Sequence, residues 1–285
     1  MFGKPVLPKI PIGSKDISIQ AQKMAGKLSI SGVQPKLSVS LKIYDLISVE
    51  SNGQYILKPQ TQEFQQLPEN EFLCMQMAEL FGIKTAEFIL MELADQTKAY
   101  LVKRFDRRKK GSSIEKLACE DMHQILGGRN KYEGSHEQIA KVIRDYCEFA
   151  PLQLQRLFEL SLFNFAIGNG DAHRKNFSLL TIDKKPVLSP AYDLVSSRLV
   201  IPNEADEIAL TINGRRNKLT RNDFLSFAKY LDISSDFAEK RIAQLRLLKK
   251  IFIQMTEKSY LKQGLKERLI EILTSRLERL NPDIS

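Results

Sequence analysis

The period of apolar positions changes near residue 105. Before it, short runs alternate apolar and polar residues, the signature of half-buried strands. Residues 27–31 lead into Gly32, residues 36–42 alternate, and 54–59 (Gln-Tyr-Ile-Leu-Lys-Pro) form a further strand. Strands follow at 85–92 and 99–105. One helix interrupts them. Pro68 introduces it over 69–81, with apolar positions at Phe72, Leu73, Met75, Met77 and Leu80, and Gly82 stops it. Pro5, Pro8, Pro11 and Gly13 leave residues 1–27 without a long regular element. After residue 105 the period is helical: 120–126, 135–146, 152–167, 221–231 with Thr220 as N-cap, and two long basic helices over 235–263 and 265–280. A loop at 171–176 and a hairpin built from 177–182 and 186–188 interrupt that series. The expected architecture is α+β, with a β-rich lobe over 1–104 and a mainly helical lobe over 105–285.

Composition narrows the class. The chain has 285 residues, of which 43% are hydrophobic and 27% charged, enough for two globular lobes. No apolar run approaches a membrane span, and the start, Met-Phe-Gly-Lys-Pro, lacks the apolar core of a secretory leader. Cys74, Cys119 and Cys147 are widely spaced and only three histidines occur, so zinc chemistry is not expected and reduced cytoplasmic thiols are. A net charge of +9 favours an acidic partner. The charge is spread along amphipathic helices, for example Lys240-Arg241, Lys249-Lys250 and Arg268, so any DNA contact is expected to be weak or indirect.

Chemistry is concentrated in Gly168-Asn-Gly-Asp-Ala-His-Arg-Lys-Asn176, followed by Ser-Pro-Ala-Tyr-Asp at 189–193. An Asp, an Asn five residues later and a second Asp beyond a strand-like run suit phosphoryl transfer. Asp171 would orient and deprotonate an acceptor hydroxyl, while Asn176 and Asp193 would hold Mg²⁺ against nucleotide phosphates. Lys175 would neutralise charge on the transferred group, and His173 would hold the loop or approach the nucleotide. Lys58, ending an apolar strand, would pair with the α/β-phosphates and with an acid on the next helix, Glu71 first and Glu69 second. Residues 29–36 (Ser-Ile-Ser-Gly-Val-Gln-Pro-Lys) offer a phosphate loop in which Gly32 lets backbone N–H groups approach and Lys36 adds charge. On those residues alone a polar hairpin turn is the better reading. Ser29 and Ser31 lie on one strand face as autophosphorylation candidates. At the junction, Lys103-Arg-Phe-Asp-Arg107 would hold adenine and ribose through Lys103, Phe105 and Asp106, or would simply be a charged linker with one buried Phe.

These segments, together with 55–59, 70–78 and 120–124 (Glu-Asp-Met-His-Gln), resemble the HipA family of bacterial serine/threonine kinase toxins. The resemblance runs through most of the chain and implies a two-lobed protein-kinase-like fold, with ATP and Mg²⁺ as cofactors. It implies Asp171 as base, Asn176 and Asp193 as metal ligands, Lys58 as the ATP lysine and the backbone of Lys103 and Phe105 at adenine. It also implies regulation by phosphorylation of Ser29 or Ser31, whose loop then leaves the site. Longer family members carry roughly a hundred more residues before the phosphate loop. Only 28 precede Ser29 here, which looks like the short HipT branch. There a separate small HipS-like protein supplies the subdomain and a HipB-like DNA-binding antitoxin completes the system. Family targets are aminoacyl-tRNA synthetases. The implied location is the bacterial cytoplasm, with export into another cell left open. A catalytically silent pseudokinase and a nucleic-acid-associated binding module stand as the alternatives.

Overall fold

The structure, a computed structural model, describes residues 10–11, 13, 16–17, 34–43, 45–111, 113–201 and 204–281. Two compact units interleave along the chain: Met1–Phe72 with Ala86–Lys116, and Leu73–Thr85 with Leu117–Ser285. The expectation from sequence was a single cut at 104/105.

The first unit is a five-stranded antiparallel sheet. Its strands are β1 (Leu37–Lys42), β2 (Asp45–Ser48), β3 (Tyr55–Pro59), β4 (Phe88–Glu92) and β5 (Lys98–Lys103), in the order β2-β1-β3-β5-β4. Pairing sets Leu37 opposite Leu57, Leu57 opposite Leu101 and Ile89 opposite Leu101, so one face gathers an apolar core with Val39, Tyr55, Met91 and Ala99. Strand alternation then sends Lys58 to the other face, opposite Tyr100. There Phe88 stacks on Tyr100 with centroids 5.9 Å apart, and Phe72 meets Phe88 edge-on at 5.7 Å. Phe72 lies on α1 (Leu67–Phe81), which Gly82 ends in a left-handed conformation at φ 94°. A polar hairpin, β6 (Arg107–Lys110) and β7 (Ser113–Lys116), completes the unit, held in part by Arg108–Glu115 at 3.0 Å.

The second unit is built around α4 (Ala150–Ile167), whose residues from Leu157 to Ile167 are nearly all buried. Pro151 lies in its first turn, where a missing N–H costs nothing. Phe163 packs on Phe81 and Phe252, Phe165 on Phe224, and Phe158 on Phe227. Around it lie α2 (Met122–Leu126), α3 (His136–Tyr146), α5 (Ser197–Val200), α6 (Arg221–Tyr230), α7 (Ser235–Leu247), α8 (Lys249–Lys258) and α9 (Gln263–Glu278). A three-stranded antiparallel sheet has the order β10 (Lys185–Leu188), β9 (Ser178–Ile182), β8 (Cys119–Asp121).

Two expectations need correction. Residues 120–126 are not one helix: Cys119–Asp121 pairs with β9, and Asp121 then caps α2. Asp121 Oδ1 accepts from the Gln124 N–H, and Gln124 Oε1 accepts from the Asp121 N–H, both at 2.9 Å. Residues 235–263 break at Leu248, and α8 stops near Ser259. The Thr256 and Ser259 hydroxyls donate to the carbonyls of Phe252 and Thr256 at 2.8 and 2.7 Å, a local alternative to the helical ladder.

Candidate phosphoryl-transfer site

In the second unit α4 delivers the chain to the loop over residues 168–176. Gly168 ends the helix with φ 69°, and a Cβ there would come 2.8 Å from the Ile272 Cγ2. Asn169, buried, donates its N–H to the Asn164 carbonyl and its side-chain amide to Asn164 Oδ1, both at 2.9 Å. The Gly170 N–H donates to Ser197 Oγ at 2.8 Å. The Ser197 hydroxyl in turn lies 2.9 Å from both Glu204 carboxylate oxygens. A side chain at Gly170 would fall on that carboxylate. The turn before Asp171 is therefore held by Asn164 and by Ser197 with Glu204.

Asp171 is half-buried, and its Oδ1 accepts a 2.7 Å hydrogen bond from the Tyr132 hydroxyl. The Asp171 carbonyl accepts from the His173 N–H at 2.7 Å. That N–H also lies 3.0 Å from Asn176 Oδ1, while the Asn176 N–H returns to the His173 carbonyl at 2.9 Å. The result is a tight 3-10 turn, Arg174–Asn176. His173 is buried. Desolvation and the Lys131 charge lower its pKa against the opposing pull of Asp171 and Asp193, which favours a neutral imidazole. Arg174, also buried, donates to the Gly127 carbonyl at 3.0 Å and to Gln138 Oε1 at 2.9 Å, anchoring the loop to α3. The carbonyl of Lys175 accepts from the Tyr192 hydroxyl at 2.8 Å, and that hydroxyl also lies 2.6 Å from Ser178 Oγ. Tyr192 thus fastens the segment carrying Asp193 to the loop that ends at Asn176.

Asp193 sits at φ 54°, a left-handed conformation an L residue adopts only when its surroundings impose it. Its Oδ2 lies 3.3 Å from the Asn176 side-chain nitrogen. The two proposed metal ligands are neighbours although 17 residues separate them in sequence. Among the described residues no three His, Cys, Asp or Glu side chains converge as a self-sufficient metal cage. One carboxylate and one amide oxygen suit a hard cation that keeps water and phosphate oxygens as its remaining ligands. The residues therefore fit Mg²⁺ carried in with a nucleotide.

The first unit carries the lysine. Lys58 Nζ donates to Glu71 Oε1 at 2.6 Å, both side chains being almost fully buried, and lies 5.3 Å from the Tyr100 ring centroid. Glu71, the first-choice partner, takes this lysine. Lys103 spends its N–H on the Glu87 carbonyl at 2.8 Å and its ammonium on the Glu87 carboxylate at 2.5 Å. Asp106 is buried. Desolvation raises its pKa, but hydrogen bonds and charge from Arg104 and Arg107 outweigh this and hold it below the ordinary range. A ribose hydroxyl would have to share oxygens already bonded to Arg104 at 2.8 and 2.9 Å. Lys36 precedes β1. Ser29, Ser31 and Gly32 lie outside the described residues.

Motif reading missed Tyr132, Ser197, Glu204 and Glu207. The last two are oppositely perturbed. Burial, with Asp171 nearby, raises Glu204 to about 7 from an ordinary 4.5. Glu207 is lowered to about 2, because bonds from Arg279 at 2.7 and 2.9 Å and the Arg276 guanidinium at 2.7 Å overcome its desolvation. The signs follow from linkage. Folding holds a proton on Glu204, so its stabilisation is complete below 4.5 and is lost as pH rises through about 7. Folding strips the proton from Glu207, so its stabilisation is complete above 4.5 and is lost as pH falls through about 2. Each limb should amount to about 1–2 kcal/mol after solvent screening. Denaturant melts across pH should show Glu204→Gln flattening the upper limb and Glu207→Gln the lower. Unchanged limbs would show that these carboxylates do not set the pH dependence.

Comparison with known proteins places the chain in a family and a fold. The model of the HipA-like C-terminal domain family matches residues 28–255. A Haemophilus influenzae protein named as a putative kinase is 28% identical, with the alignment covering 96% of this chain and 88% of the relative. The serine/threonine-protein kinase toxin HipA of Shewanella oneidensis is 31% identical over 60% of this chain, which spans 43% of that toxin's length. Two Sinorhizobium fredii relatives are matched over 62% and 54% of their lengths. The structure of S. oneidensis HipA, solved with HipB and operator DNA, superposes with a TM-score of 0.73 at 20% identity, over 98% of this chain and 73% of that one. The Helicobacter pylori proinflammatory kinase CtkA superposes at 0.57 and 13% identity, over 85% of this chain and 92% of that one. At such identities the superpositions speak for the fold. The chain is a member of the HipA-like C-terminal domain family and has its kinase-like fold.

Proposed function

We propose that this chain is a Mg·ATP-dependent protein serine/threonine kinase, the toxin of a toxin–antitoxin system. The observation that carries the reading is the tie between Asp171, Asn176 and Asp193. The Asp171 carbonyl and the Asn176 side chain share the His173 N–H, Asn176 ends the 3-10 turn that follows, and its amide reaches the second carboxylate. Asp171 accepts the proton of an acceptor serine as its Oγ forms a bond to the γ-phosphorus, the β–γ bridging bond breaks and ADP leaves. Asn176 and Asp193 would hold Mg²⁺, which when bound neutralises phosphate charge. Lys175, the residue before Asn176, would oppose charge on the transferred group. Lys58, oriented by Glu71, takes the α/β-phosphates. The Lys103 carbonyl and Phe105 serve adenine, Asp106 the ribose, and Gly32 and Lys36 the phosphate loop.

The acceptor class is an aminoacyl-tRNA synthetase, and a HipB-like antitoxin is the expected partner, as in the DNA-bound complex of the S. oneidensis relative. A HipS-like protein is a second expected partner, and the working location is the bacterial cytoplasm. No described helix is long and apolar enough to cross a membrane. Self-phosphorylation of Ser29 or Ser31 would act as a brake, because a phosphoserine adds about two negative charges next to the nucleotide's own. Phosphopeptide mapping after incubation with Mg·ATP should find phosphate on Ser29 or Ser31. A Ser29→Ala/Ser31→Ala variant should then keep phosphorylating an external acceptor where the wild type slows. A wild type that transfers phosphate elsewhere but never to these serines would remove the brake from the account.

A further inference from the structure

We propose that Tyr132 is a positioning residue for phosphoryl transfer: its hydroxyl fixes Asp171 through Oδ1 so that the other carboxylate oxygen is presented to the acceptor hydroxyl. The inference rests on Asp171 being the base. A carboxylate has about four acceptor positions, so one phenol bond at 2.7 Å orients it without occupying it. An unrestrained Asp would sample rotamers in which neither oxygen meets the acceptor, and misplacement by an ångström is costly in catalysis.

Tyr132 is itself held by a built structure. Its N–H donates to Asn130 Oδ1 at 3.0 Å, and its carbonyl accepts from Arg216 at 2.8 Å. Its ring meets His173 edge-on with centroids 5.2 Å apart, and the Lys131 ammonium lies 4.9 Å from the ring centroid. Gly127, Gly128 and Gly134 all take positive φ, and a Cβ at Gly134 would collide with the Arg174 guanidinium. Arg174 meanwhile donates to the Gly127 carbonyl, and its own N–H donates to the Lys131 carbonyl at 3.2 Å. The segment over 127–134 is thus folded about an arginine of the catalytic loop, and Tyr132 and Asp171 share one frame. Burial, and then the carboxylates of Asp171 and Glu204, push the phenol pKa well up, so it remains a donor wherever the enzyme works.

The opposite use of the same contact would be occlusion, with the phenol blocking the base until the acceptor displaces it. The two differ in sign. Tyr132→Phe keeps the ring and its packing on His173. Under the proposal, kcat falls about 10- to 100-fold while KM for ATP and the melting temperature stay near wild type. In an Asp171→Asn background the same substitution adds no further loss, because the phenol acts only through that carboxylate. An unchanged or higher kcat in Tyr132→Phe, or a full additional loss in the Asp171→Asn background, would overturn the proposal. If the wild type transfers no phosphate at all, the kinase reading fails first, and the two failures are distinct.

Discussion

Asp171→Asn is expected to lower the single-turnover rate of phosphate transfer about 10²- to 10⁴-fold while leaving ATP affinity and thermal stability close to wild type. The range is what a positioned general base contributes. The amide keeps the carboxylate's shape and can still accept the Tyr132 hydrogen bond at Oδ1, so the loop has no reason to unfold. What it loses is the capacity to take the acceptor proton. The loop's supports are the Asn164–Asn169 pair, Ser197 beneath Gly170, and Arg174 reaching Gly127 and Gln138. All lie outside the substituted group. A loss below about fivefold would remove Asp171 from the role of base. A large loss accompanied by a lower melting temperature would point to the loop's architecture instead.

Lys58→Met should be costly in two ways. With the lysine gone, Glu71 is left as an almost fully buried carboxylate without the ammonium 2.6 Å away. Breaking a buried pair from one side typically costs about 3–5 kcal/mol, much of it the penalty of the stranded charge. Nucleotide affinity should fall as well, because the phosphate-pairing cation is gone. A double substitution, Lys58→Met with Glu71→Gln, separates the two effects. It should recover most of the stability, since no charge remains stranded, and none of the nucleotide affinity. Recovery of ATP binding along with stability would show that Lys58 matters only to the fold.

Much of this arrangement is written locally in the chain. Pro68, the apolar spacing through Met77 and Gly82 delimit α1 to within two residues of where it lies. Alternation in Tyr55-Ile-Leu-Lys58 is enough to send the lysine away from the core face, and a helix following within a dozen residues supplies Glu71. The Asp-x-x-x-x-Asn spacing and the second Asp mark the loop proposed as catalytic because each residue type would have a separate chemical task there. Features that depend on pairing across space left weaker traces. Arg107–Lys116 forms a hairpin with little apolar alternation to announce it, its turn resting on Gly111 at φ 61° and a cross-strand ion pair. Glu120-Asp121 has helical neighbours, yet it is claimed by β9, and Asp121 becomes a cap instead of a helical residue. Tyr132 and Asp171 are 39 residues apart. Between Gly128 and Gly134 a tyrosine reads as one more loop residue, and nothing local signals that it meets Asp171. Glu204 is equally silent until Ser197 and Gly170 are seen above it. Positions set by chain chemistry were therefore legible, and those set by tertiary contact became visible in the folded chain.

The central claim is phosphate transfer from ATP to serine. Its most direct test is to incubate the purified chain, beside Asp171→Asn, with γ-labelled Mg·ATP and a panel of aminoacyl-tRNA synthetases. Label is then located by intact mass and phosphopeptide mapping. The account predicts phosphoserine, on the chain itself or on a panel member, with the wild type, and its formation at least about a hundredfold more slowly with Asp171→Asn. ATP bound by both proteins with no label transferred by either, or equal label with both, would contradict it.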